Sequence, residues 1–199
     1  MSENKPNAPK LRFPGFTDPW EQRKLKQVSE KVTEKNVGFE YSETLTNSAE
    51  FGIMSQHDFF DKSISNEASI DEYYIVRNDD FVYNPRISTY APVGPIKRNK
   101  LGRTGVMSPL YYVFRTHDIN QSYLEYFFAT TIWHRFMKLN GDTGARSDRF
   151  SIKGSVFREM PIPWPPSACE QSCIGTFFQQ LDSLITLHQR EEVDWLGQT

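Results

Sequence analysis

Four prolines in seven residues, in the run MPIPWPP at 160–166, constrain this chain more than any other feature. Proline has no backbone N–H and its ring clashes with a preceding helical turn, so such a run is held extended and no helix passes through it. The chain is therefore divided into a body ahead of the run and a separate element behind it. Behind it, Ser167 and Glu170 stand at capping-box spacing, and CEQSCIGTFFQQLDSLITLHQREEVDWL continues in a helical period. Ile174, Leu181, His188 and Trp195 fall seven apart, with Phe177 and Leu184 as the second seam position, which is a coiled-coil-like stripe. The spacing predicts a projecting helix over 167–199 that requires a partner helix, with His188 placed to set register or partner choice.

Ahead of the prolines the pattern changes several times. Residues 1–19 are polar and rich in Pro and Asn, then turn-prone at FPGFTDPW, and read as an arm that Trp20 anchors to the fold. Over 20–33, Leu25, Val28 and Val32 share one helical face, predicting a short amphipathic helix. Between Phe39 and Val113 the brief pieces ETLTN, FGIMS, EYYIV, DFVYN, VGPIKR and LYYVFR, separated by Asn, Asp, Gly and Pro, read as strands and turns. The run SYLEYFFATTIWHRFMKL at 122–139 is apolar around most of its circumference, with a capping box at Ser122 and Glu125, and predicts one helix buried against the sheet. A Gly-rich loop over 141–150 and a helical turn near Val156 complete the body. The expected fold is α/β (α+β): a twisted, mostly antiparallel sheet with packed helices over 20–166, followed by the long helix.

With 199 residues, 38% hydrophobic and 24% charged, the chain is that of one folded domain rather than a disordered one. No apolar run approaches the length of a membrane span and the first residues lack a secretory signal, so the chain reads as cytoplasmic. Cys169 and Cys173 have no further Cys or nearby His to complete a zinc set and read as two buried or rim thiols.

The net charge of -2 conceals a partition. Residues 77–160 hold 13 Lys and Arg against 7 Asp and Glu, or +6, whereas 1–76 (9 against 13) and 161–199 (1 against 5) each carry -4. Lys97, Arg98, Lys100 and Arg103 cluster at an expected hairpin tip, Arg86 lies in NPRISTYAP, and Arg146 and Arg149 lie in the Gly-rich loop. A single surface lysine is more often only a solvated charge. Three basic loops interleaved with Tyr83, Tyr90 and Tyr112 suit nucleic acid, because Lys and Arg neutralise phosphates while Arg, Asn, Ser and Thr read base edges. Arg86, Lys97, Arg98, Lys100 and Arg103 are the expected phosphate or base contacts, with Asn84, Ser88, Thr89, Tyr90, Arg146, Ser147 and Arg149 as base-reading candidates.

Catalytic patterns are weak by comparison. Asp71, Glu72, Asp79 and Asp80 could be imagined as a nuclease metal cluster, but they sit where acidic turn residues are expected. His57, His117, His134 and His188 are dispersed, and neither a phosphate-binding Gly-rich turn nor a GxSxG elbow occurs. No catalysis, metal or cofactor is expected of the chain.

Several phrases in order resemble the specificity (S) subunits of type I restriction-modification systems. They are LRFPGFTDPWEQRKL (11–25), DDFVYNPRISTYAPVGPIKRN (79–99), GVMSPLYYVFR (105–115), WHRFMKLNGDTGARSDRFSI (133–152) and PIPWPP with EQSCIGTFFQQLDSLITLHQR (161–190). The resemblance implies a target-recognition domain that reads one half of a split double-stranded DNA site, followed by a helix of the conserved coiled-coil spacer. It implies a non-catalytic subunit in phage defence that docks methyltransferase subunits and, through them, restriction subunits. Family members carry two such domains, so the chain is expected to be a half-subunit that pairs with itself or another half, a truncated product, or a fragment. Two other readings stand beside this one: an assembly half-subunit that holds a methyltransferase subunit without reading DNA, and a metal-dependent nuclease.

Overall fold

The computed structural model describes residues 9–59, 67–144 and 148–196, with backbone alone at 59, 67–69 and 191–196. In chain order, β1 (Glu21–Lys24), β2 (Ser29–Lys31), β3 (Leu45–Ser48), β4 (Gly52–Ser55) and the single helical turn α1 (Gln56–Phe59) come first. Next are β5 (Tyr74–Val76), β6 (Phe81–Tyr83), β7 (Ile96–Arg98), β8 (Gly105–Met107) and β9 (Tyr112–Thr116). The helices α2 (Gln121–Ala129) and α3 (His134–Asn140) are followed by β10 (Asp142–Thr143), β11 (Phe150–Ser151), α4 (Gly154–Phe157), β12 (Pro161–Trp164) and the long α5 (Ala168–Leu196). The chain has an α/β (α+β) fold, with antiparallel sheets, packed helices and a long C-terminal helix.

These elements gather into two compact units. A sheet unit comprises Arg23–Asp118 and Phe128–Ile162; a helical unit comprises the residues up to Gln22, Ile119–Phe127 and those from Pro163 onward.

The sheet unit is built on the antiparallel order β2-β9-β6-β7. In β6 the side chains alternate between faces, as the pleat requires. Val82, opposite Val113, enters a core with Val32, Leu45, Ile53, Val76 and Met107. Phe81 and Tyr83 point the other way, where Phe81 stacks on Phe114 at 5.5 Å and Tyr83 on Phe157 at 5.0 Å. Phe128 closes this side edge-on to both Phe81 and Phe114. Such ring pairs contribute about 0.5–1.5 kcal/mol each beyond the area they bury. The pieces expected to be strands form β3 to β7 and β9, and β8 pairs with β5 although its short GVM text carries no alternation.

Two expected helices take other forms. Residues 20–33 are β1, a 3-10 turn at Leu25–Gln27 and β2. Leu25, Val28 and Val32 are buried as their pattern demands, yet the backbone is captured by tertiary partners: Leu25 N–H bonds Met160 O at 2.8 Å, Lys26 N–H bonds Arg158 O at 3.0 Å, and Val32 N–H bonds Val113 O at 2.9 Å. Residues 122–139 are two helices, not one. The β-branched run Thr130-Thr131-Ile132 interrupts them, and Trp133 is buried in the bend, donating its indole N–H to Phe128 O at 3.1 Å. The N-cap of α2 is Asn120, whose Oδ1 accepts the Tyr123 N–H at 2.9 Å, rather than Ser122.

In the helical unit, Ser167 caps α5 by accepting the Glu170 N–H at 3.3 Å. Glu170 does not fold back on the cap. It is almost wholly buried and binds the Arg12 guanidinium through two bonds of 2.7 Å, with the Trp20 indole N–H at 3.2 Å. Opposite α2, Gly175 lies so close that a Cβ there would stand 2.8 Å from Ser122 Cβ. Gln171 Oε1 accepts Asn120 N–H, Gln179 donates to Ser122 Oγ, and Tyr126 donates to Asp182. The packed face of α5 thus runs through 171, 175, 179 and 182. The seam runs elsewhere: Ile174 is half-buried, Phe177 touches Phe13 and remains 43% exposed, and Leu181, Leu184 and His188 are exposed. The Trp195 side chain lies outside the described residues. None of the described helices is long and apolar enough to cross a membrane.

Candidate nucleic-acid interface

At the Tyr83 end of β6 the chain leaves the sheet and builds a second ladder. Ile87 N–H bonds Asp148 O at 2.9 Å and Phe150 N–H bonds Pro85 O at 2.8 Å, so residues 85–87 pair antiparallel with 148–150. Gly144 N–H reaches Arg149 O at 2.9 Å, closing the Gly-rich loop beside β10 and β11. Beyond Ile87 the chain reverses through a two-residue tip, with Ser88 and Ala91 exchanging hydrogen bonds of 3.1 Å on either side of Thr89 and Tyr90. Tyr90 is 74% exposed at this tip. Gly94, at φ +83°, lets the returning strand pass against Asn84; a Cβ there would collide with the Asn84 carbonyl oxygen.

Between this tip and the β3–β4 hairpin lies an open groove of about 660 Å³. Asn84, Arg86, Ser88, Tyr90 and Arg149, all singled out from sequence, line it. Ser48, Glu50, Gln56, Ser108 and Tyr111 line it too, and nothing in their local spacing marked them. Asn47 is the least visible from sequence. It is 2% exposed, donates to Val82 O at 2.8 Å, and its Oδ1 has no hydrogen-bond partner among the described residues.

The expected contacts separate by what their side chains already do. Asn84 is held by the fold, donating to Asn47 O at 2.8 Å and accepting Arg86 N–H at 3.0 Å. Ser88 Oγ accepts the Ala91 N–H at 3.2 Å and holds the tip. Thr89, Tyr90, Arg86 and Arg149 are exposed, and neither guanidinium makes an ion pair among the described residues. Arg146 and Ser147 lie outside the described residues.

The third basic loop is placed differently. In the register Phe81↔Arg98 and Tyr83↔Ile96, the groove lies at the Tyr83 end of the β6–β7 pair while Arg98, Lys100 and Arg103 lie at the Phe81 end. As neighbours in β7, Lys97 and Arg98 point to opposite faces. Arg98 approaches Asp79 at 3.6 Å. Arg103 grips Glu43 through bonds of 2.7 and 2.8 Å, which lowers the Glu43 carboxyl below its ordinary range and raises the guanidinium. Lys100 is exposed.

The acidic residues near this end serve the turn. Asp80, 1% exposed, accepts two bonds from Arg115 at 2.8 and 2.9 Å and the Arg77 N–H at 2.8 Å, which raises the Arg115 guanidinium. Asn99 donates to Arg77 O and Arg103 O, both at 3.0 Å. Among the described residues no cluster of His, Cys, Asp and Glu is arranged to hold a metal ion, and both cysteines are exposed free thiols.

Residues 17–194 match the model of the type I restriction modification DNA specificity domain. The fold is similar to that of the HsdS subunit from Thermoanaerobacter tengcongensis, with a TM-score of 0.52 and 16% identity over 92% of this chain and 41% of that one. It is also similar to a chain from a structure of complex assembly and conformational transition of the type I R-M system, with a TM-score of 0.55 and 17% identity over 91% and 43%. The chain thus spans about two-fifths of the length of these solved structures. No curated protein matches the chain.

Proposed function

The chain belongs to the type I restriction modification DNA specificity domain family, and from that premise we propose that its sheet unit reads one half of a bipartite double-stranded DNA site while α5 docks protein partners. The observation that carries the DNA-reading half is the groove: two arginines without carboxylate partners among the described residues, beside an exposed two-residue tip carrying Thr89 and Tyr90. Guanidiniums neutralise phosphate and fork onto guanine, while a tyrosine and a threonine on a firm tip can meet base edges and methyl groups within a groove. Lys97, Lys100 and Arg103 lie away from the groove and are assigned to flanking phosphates, whereas Arg98, with a side chain 9% exposed beside Asp79, is assigned to the fold.

The seam of α5 supports the docking half. Phe177, Leu181 and Leu184 stay exposed while another face of the same helix packs on α2, so the stripe is left for a second half-subunit and for methyltransferase subunits, through which restriction subunits are recruited. Chemistry is assigned to those partners and not to this chain.

The test is selection from a randomised duplex pool by the chain assembled with its methyltransferase subunit, repeated with Arg86→Glu. One enriched half-site with wild type, and none with Arg86→Glu, is the expected result. A pool that stays random while the complex remains assembled replaces this reading with that of an assembly half-subunit.

A further inference from the structure

We propose that Arg86 and Arg149 act as one clamp on a single DNA backbone phosphate, leaving base choice to the tip and groove beside them. This rests on the DNA-reading role proposed for the sheet unit and divides the labour within it. The two arginines are direct partners across an antiparallel bridge. The flanking bonds, Ile87 N–H to Asp148 O and Phe150 N–H to Pro85 O, make them a non-hydrogen-bonded pair. In such a pair the Cα atoms approach to about 4.5 Å and the side chains leave the ladder on the same side. Like charges placed directly opposite in a sheet repel.

Elsewhere in the unit Arg77 is neutralised by Glu34, Arg103 by Glu43 and Arg115 by Asp80, while Arg135 and Arg158 stand exposed and apart from one another in the chain. Arg86 and Arg149 have no such carboxylate among the described residues, and Glu50, which lines the same groove, pairs with neither. The fold therefore holds a repulsive pair at the rim of an open groove, and the ligand that removes the repulsion is an anion.

The chemistry of DNA offers two targets. A guanine edge is neutral, and its O6 and N7 are both taken by one bidentate guanidinium, so a second beside it gains little and the repulsion persists. A phosphodiester carries the missing negative charge and two non-bridging oxygens, and each oxygen can accept from a separate guanidinium fork. The geometry favours the phosphate.

The experiment measures binding of a labelled random-sequence duplex to the full chain between about 50 and 200 mM salt, where counterion release sets the slope. Arg86→Ala and Arg149→Ala are each expected to weaken binding of every sequence alike by about tenfold while keeping most of the slope, because the remaining guanidinium still neutralises the shared phosphate. The double variant is expected to reduce the slope by about 0.9, the value for one phosphate and not for two. Each single variant is also expected to melt higher than wild type at low salt, because a like-charge pair is gone. A slope unchanged in the double variant, a loss there equal to two phosphates, or relaxed preference at one base position would overturn the clamp.

A titration with inorganic phosphate, read at the arginine Nε–Hε resonances, separates this proposal from the one beneath it. If wild type binds no duplex, yet phosphate shifts both side chains together and the double variant abolishes the response, the anion site stands and DNA reading falls. Duplex binding with an unaltered salt slope in all variants leaves DNA reading in place and removes the clamp.

Discussion

At the residue scale, the same residue types serve fold and site, and only their partners tell them apart. Asn84 and Ser88 were legible as polar loop residues, but Asn84 ties the loop to Asn47 of β3 and to Arg86 N–H, and Ser88 holds the Ala91 N–H. Arg86 and Arg149 keep their guanidiniums free of carboxylates among the described residues. Asp80 shows the structural use of charge most clearly, since its buried carboxylate anchors both Arg115 and the Arg77 backbone. Replacing Asp80 with Asn removes the charge and leaves Arg115 partly buried without a counter-ion; because Arg115 is 39% exposed, water offsets part of the loss. A destabilisation of about 2 kcal/mol in denaturant unfolding is expected. An unchanged midpoint would mean that the pair is fully screened.

At the element scale, hydrophobic spacing identified buried positions better than it identified backbone conformation. Leu25, Val28 and Val32 satisfy a helical period and are all buried, yet Leu25 opens a 3-10 turn, Val28 closes it and Val32 follows β2. The reason is that Met160, Arg158 and Val113 offer their carbonyls to backbone N–H groups that a helix would have kept internal. For α5 the period and the conformation agree, because a helix of this length satisfies its own backbone and needs only a cap. Its glycine was not legible as a contact. Gly175→Ala gains about 1 kcal/mol of helix propensity but places a methyl 2.8 Å from Ser122 Cβ and 3.1 Å from Asn120 Oδ1 and Tyr123 N. Overpacking costs about 1–3 kcal/mol, so a net loss of about 1 kcal/mol in thermal unfolding is expected. A variant more stable than wild type would show that α2 yields easily.

At the scale of the whole molecule, each unit buries a tyrosine as a neutral phenol. Tyr83 in the sheet unit donates to Val93 O at 2.9 Å, and Tyr123 in the helical unit donates to Pro163 O at 2.7 Å. Burial raises both phenols far above their ordinary value near 10. An unfolded tyrosine releases its proton near pH 10, whereas these retain theirs, so the unfolded state binds fewer protons above that pH. Their contribution to stability is complete below about pH 10 and is lost as pH rises from there toward the folded values. Absorbance at alkaline pH should show these two phenols ionising late and together with loss of structure; ionisation of all tyrosines while the fold persists would contradict their burial.

The amino-acid order alone determined the alternation of strands, the long helix behind the prolines and the concentration of basic residues in 77–160, because each depends on spacing or counting along the chain. The tertiary structure decided which charges are available. Arg77, Arg103 and Arg115 meet carboxylates more than thirty residues away, while Arg86 and Arg149, 63 positions apart, meet each other. Attraction and repulsion between side chains act through a few ångströms of space, and that proximity is written only by the fold.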